Sequence, residues 1–201
     1  APTVANAPAT PTLPTVEPVG ATLLEGLGDY GMPVSVANPE AQRWFDQGLM
    51  LTYGFNHDAA ERSFLRALEL DPSCAMCWWG ASLVLGPHVN ADMDPAQNPV
   101  AWKRLQTALA LAEGATAREQ AYIRALASRY VEQAPEDRRS LDNAYAQAMA
   151  ELAGQYPDDL DAATLYAEAM MNLQPWDFWA ADGQPRGNTG RIVANLEALL
   201  Q

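Results

Sequence analysis

From Asn38 onward, apolar residues recur at three- and four-residue spacing, and Pro or Gly stands at nearly every break. Strands need a period of two, so the pattern predicts an all-α fold. Asn38-Pro39-Glu40 supplies an N-cap, a proline at the first helical position and an acid at the positive helix end, predicting a helix to about Tyr53. Asn56 is placed to cap a second helix ending at Asp71-Pro72, and Ser73 a third, Cys74 to Leu85, closed by Gly86-Pro87. Asn98-Pro99 opens a fourth, through about Ala112. Thr116 and Glu119 have capping-box spacing ahead of a fifth that is expected to reach about Gln133. Residues 140–155, 159–173 and 189–200 supply three more.

The chain has 201 residues, 49% of them hydrophobic and 18% charged, enough to bury a core without metals or disulfides as staples. Twelve basic against 25 acidic side chains give a net charge of −13, which repels phosphate backbones and anionic headgroups. No nucleic-acid partner is expected. The longest nearly uncharged apolar run, Cys74 to Gly86, has 13 residues, and a spanning helix needs about 20. No transmembrane segment is expected either.

Residues 1–22, rich in Pro, Ala, Thr and Val, read as an extended arm or spacer with too little apolar surface to pack. The first residue is Ala, and the opening stretch has neither a charged start nor an apolar centre. Such spacers follow a cleaved signal or a lipid anchor upstream. The expected location is therefore periplasmic or otherwise extracytoplasmic, with membrane association through an anchor or a partner. Residues 23–37 read as an irregular lead-in, and 38–201 as the helical domain.

Residues 41–72 carry Trp44, Gly48, Ala60, Phe64, Ala67 and Pro72 where a 34-residue tetratricopeptide (TPR) repeat has Trp, Gly, Ala, aromatic, Ala and Pro. A second repeat begins at Ala75, with Trp78 matching Trp44, and continues through Ala101, Leu105 and Ala108 after an insertion. Residues 116–157 and 159–201 form looser third and fourth repeats. The expected architecture is a right-handed α-solenoid of about four TPR-like hairpins behind an extended arm. Its last helix stops short of the consensus proline, so a continuing array or a covering partner is expected. The stretch AQRWFDQGLMLTYGFNHDAAERSFLRALELDPSCAMCWWGASLVLGPHVNADM, with GDYGMPVSVANPE before it, resembles the amino-terminal part of large, apparently exported bacterial TPR proteins. The resemblance is close over about residues 25–95. It implies a helical-repeat scaffold that extends beyond this chain.

Cys74-Ala-Met-Cys77 is the one CxxC, at a helix start. It reads as a disulfide in an oxidising compartment, as two buried thiols, or as a redox or metal pair, and nothing βαβ-like surrounds it. His57 and His88 cannot join the cysteines in a Cys₂His₂ site, because a helix about 18 Å long separates them. They can meet each other at the opposite edge, where Asn90, Asp92 and Asp94 would add oxygens to a small metal site. Two ordinary loop histidines are the alternative.

On the first helices of the hairpins, Gln42, Phe45, Leu49, Thr52, Met76, Trp79 and Leu83 line the expected concave wall, with Arg124 and Ser128 farther along. The wall reads as an apolar groove for a polypeptide, unless Leu23 to Val36 already fills it. Trp176, Phe178 and Trp179 in the loop QPWDFWAADGQPRGN either fold back as local core or meet a partner. No Ser/His/Asp grouping, glycine-rich phosphate loop or HExxH occurs. No enzyme activity and no cofactor are expected. The sequence reads as a protein–protein interaction scaffold in a larger complex, with a periplasmic metal- or cofactor-binding protein, using His57/His88 or the cysteine pair, as the alternative.

Overall fold

Caps and breakers set the helices. The computed structural model describes residues 13–200. Among these lie α1 (Pro39–Tyr53), α2 (His57–Leu70), α3 (Ala75–Leu83), α4 (Asn98–Leu111), α5 (Ala117–Ala127), α6 (Arg139–Gln155), α7 (Leu160–Asn172) and α8 (Thr189–Ala198), with 3₁₀ turns at Pro95–Gln97 and Ala112–Gly114. No strand forms among the described residues, only isolated bridges pairing His88 with Ala91 and Trp179 with Pro185. The all-α expectation holds.

Asn38 caps α1 by accepting from the Glu40 amide at 3.0 Å. The Thr116–Glu119 box closes in both directions, at 3.2 and 2.7 Å. Asp159 caps α7 through the amides of Asp161 and Ala162. Two caps differ from expectation. Asn56 makes no side-chain cap bond. The cap of α3 is Cys74, whose Sγ accepts from the Cys77 amide at 3.0 Å, while the Ser73 hydroxyl donates to Asp71 at 2.6 Å. Helix α5 ends at Ala127 rather than near Gln133, because the chain turns inward there. Arg129 and Tyr130 are buried, and the Tyr130 hydroxyl donates to the Ser82 carbonyl at 2.8 Å.

Each helix packs on the next, and α3 also touches α1 and α5. Phe64 shows why. Its ring fits between α1 and α3 at two glycines: a Cβ at Gly48 would stand 2.7 Å from the ring, and one at Gly80 2.5 Å. Phe45 meets the same ring edge-on at 5.5 Å. The main core runs from Met32 through Ala169, and a separate small cluster of Ala167, Met170 and Ile192 lies under α8. The last elements return to the first ones. Asp161, at the start of α7, accepts from the Tyr53 hydroxyl of α1 at 2.6 Å.

Candidate functional site

The residues expected to line an open groove are inside the protein. Phe45, Leu49 and Met76 are 0% exposed, Trp79 1% and Leu83 4%, so in this conformation they offer no surface to a partner. Trp79 packs edge-on against Tyr122 at 5.6 Å, and Met32 of the lead-in segment joins the same core. Arg124 alone of the wall residues is exposed, donating to Gln120 on its own helix. The inner wall is occupied because neighbouring helices and the chain's own lead-in cover it.

The manner of that occupation is informative. Gln42 donates to the Met32 carbonyl at 2.9 Å and accepts from the Val34 amide at 3.0 Å. Gln47 repeats the pattern, donating to the Thr22 carbonyl at 3.0 Å and accepting from the Leu24 amide at 2.7 Å. Each glutamine amide thus bonds the carbonyl of one residue and the amide two residues on, as a neighbouring strand would. Carboxylates extend the grip. The amides of Val19, Met32, Ser35 and Ala37 donate to Glu69, Asp46, Glu119 and Asp71 at 2.6, 3.1, 2.5 and 2.5 Å. The part of the expected spacer that is described, residues 13–22, therefore lies against the helices, with Val16 and Ala21 packed on the core; residues 1–12 lie outside the described residues.

A polar cluster locks the far end of the wall. Tyr30 and Tyr53 both donate to Asp161, while Arg118 and Tyr122 both bond Asp159, at 2.6 and 2.9 Å. Burial, and then Asp161, push the Tyr53 hydroxyl well above the ordinary tyrosine range. Burial also pushes the Asp159 carboxyl up, but the bonds from Arg118, Tyr122 and the Ala162 amide more than reverse this and hold it below the usual carboxylate range.

At the other edge His57 and His88 do meet. Their rings stack with centroids 4.2 Å apart, and Phe55 stands 5.8 Å from His88. Phe55 has φ of +56°, a left-handed conformation that costs a side-chain-bearing residue about 1–3 kcal/mol and that sets its ring beside the imidazoles. Burial, aided by His88 and Arg129, lowers His57 to about 4; burial, aided by Arg129, also lowers His88. Asp92 does not complete a metal site: it is exposed, and no group of three or more His, Cys, Asp or Glu is placed to hold a metal among the described residues. Cys74 and Cys77 are buried at the start of α3, with sulfurs 2.07 Å apart, at disulfide distance.

The aromatic loop divides. Phe178 packs against the small cluster under α8, whereas Trp176 is 75% and Trp179 56% exposed. The loop is nonetheless framed: Gln174 donates to the Asp177 and Arg186 carbonyls and accepts from the Asn188 amide, and Thr189 donates to the Phe178 carbonyl.

Sequence reasoning placed Gln42 on the inner wall but not its role, and missed Gln47, Arg129 and Glu168 altogether. A buried Gln on a core-facing helix is the available signal for Gln47, and a half-buried one beside it for Gln42. Arg129 and Glu168 give none, because only the inward turn after α5 brings them to one place. No family model matches the chain, and neither curated proteins nor solved structures give a match.

Proposed function

We propose that this chain is a protein-interaction scaffold, a right-handed array of TPR-like hairpins that holds a polypeptide within an extracytoplasmic assembly. One observation carries the reading: Gln42 and Gln47 each bond main-chain carbonyl and amide groups of an extended segment, here the chain's own lead-in, as they would those of a polypeptide that takes its place. A wall that reads backbone tolerates many side-chain sequences, and this suits a surface that holds extended chain. The order of helix packing supports the repeat reading, and the cysteine pair at bonding distance suits an oxidising compartment. Trp176 and Trp179, exposed on a framed loop, supply rigid anchors whose ordering cost on binding is already met.

The test is photocrosslinking in the producing cell. A benzophenone side chain at Tyr30 or Trp176 is expected to join one discrete partner protein, and one at exposed Gln147 of α6 is not. Equal crosslinking from all three positions, or none from any, overturns the scaffold reading. The second reading, a metal- or cofactor-binding protein, is favoured by the His57–His88 stack and opposed by Arg129, whose charge disfavours a cation there. Stoichiometric copper, zinc or iron in the purified chain would decide for it.

A further inference from the structure

Beside the histidine pair lies a cavity of about 220 Å³ between the ends of α1, α3 and α5 and the length of α7. A dry cavity of roughly 150 Å³ holds benzene, so this one admits a small organic molecule. Tyr53, Phe55, Leu83, Leu165, Met171 and Leu196 make most of it apolar. Its polar side chains are few: His57, His88, Arg129 and Glu168, with the hydroxyls of Thr52 and Thr164.

Arg129 is only 2% exposed, yet its Nε has no hydrogen-bond partner. One terminal nitrogen donates to the Pro87 carbonyl, and the guanidinium lies 4.6 Å from the Tyr145 ring centre. Glu168 accepts from Asn172 at 2.6 Å. Arg129 and Glu168 line the same cavity, but Arg129 forms no ion pair among the described residues. A buried cation therefore shares a chamber with a carboxylate that does not neutralise it by contact. The His88 Nδ1 accepts from the Asn90 amide, which leaves the neutral ring with its Nε2–H free to donate.

We propose that this cavity binds a small zwitterion with an apolar tail, of the class of the apolar α-amino acids. Its carboxylate accepts from Arg129, its ammonium donates to Glu168, and its tail lies among Phe55, Leu83, Leu165 and Met171. Charge selects this head group. An anion alone would face Glu168, a cation alone would face Arg129, and a zwitterion leaves the net charge of the chamber unchanged. Phe55 and Leu196, 44% and 37% exposed, form the mouth. The inference does not rest on the scaffold reading.

The chain has two histidines, and both line the cavity, so their ring signals in carbon-edited NMR report its occupancy directly. The full chain is titrated with L-leucine, L-methionine and L-phenylalanine, and in parallel with 4-methylpentanoate, isoamylamine and Zn²⁺. The expected result is a saturable shift of both histidines with at least one amino acid, at Kd of about 1 mM or tighter, and binding at least about tenfold weaker for the two single-charge analogues. Glu168→Gln is expected to weaken amino-acid binding about tenfold. Because replacing buried Arg129 risks unfolding the chain, Leu196→Trp at the mouth serves as the blocking variant and abolishes the shift. The proposal is overturned by no saturable shift with any of the three amino acids, by equal binding of 4-methylpentanoate, or by a response to Zn²⁺ alone.

Discussion

The two ends of the helical domain are built differently. Around α1 to α3, one ring, Phe64, is enclosed by two glycines and the edge of Phe45. At α7 and α8 the buried apolar set shrinks to Ala167, Met170 and Ile192, and two tryptophans stand in water. The first end is where small residues, Gly48, Ala60, Ala67 and Gly80, surround one aromatic ring. Close approach needs small residues at fixed places, and where these are lacking the helices meet through fewer, looser contacts.

The largest contrast is expected from truncation. Phe64→Ala should cost about 3–5 kcal/mol in urea unfolding, and Ile192→Ala about 2 kcal/mol, near the low end for such changes; equal losses would erase the distinction. Gly80→Ala, whose methyl must meet the Phe64 ring at 2.5 Å, should cost about 1–3 kcal/mol. A methyl group added at Gly190 in α8 would meet nothing within 4 Å, so Gly190→Ala should gain about 0.5–1 kcal/mol through helix propensity. Trp176→Ala should change stability by no more than about 0.5 kcal/mol while reducing partner crosslinking.

A further effect is expected on acid sensitivity. The folded state holds His57 at about 4 against an ordinary 6.5, so the neutral ring stabilises the fold above pH 6.5, and that contribution is lost as pH falls from there to about 4. Solvent reaching the half-buried ring keeps it modest. His57→Gln should flatten this part of the stability profile, leaving the steeper loss at lower pH where Asp159 and Glu119, both held below the carboxylate range, protonate.

Much of the helical frame was legible in the sequence, because caps and breakers act locally: α1 starts at Pro39, the Thr116–Glu119 box closes as drawn, and the histidines meet. The end of α5 was not, because the burial of Arg129 and Tyr130 overrides a helical pattern that runs on to Gln133. Nor was the filled wall. Val34 and Ser35 look like linker residues until Gln42 and Glu119, one of them 84 positions from Ser35, take their amides. Contacts of that range leave no periodicity to read.

Amide hydrogen exchange, resolved by residue along the lead-in, tests the backbone-gripping wall most directly. The amides of Leu24, Met32, Val34, Ser35 and Ala37 should be protected in the intact chain. In the Gln42→Ala/Gln47→Ala variant, Leu24 and Val34 should lose that protection while α2 and α3 keep theirs. Exchange of these lead-in amides at open-chain rates in the unsubstituted protein would contradict the account.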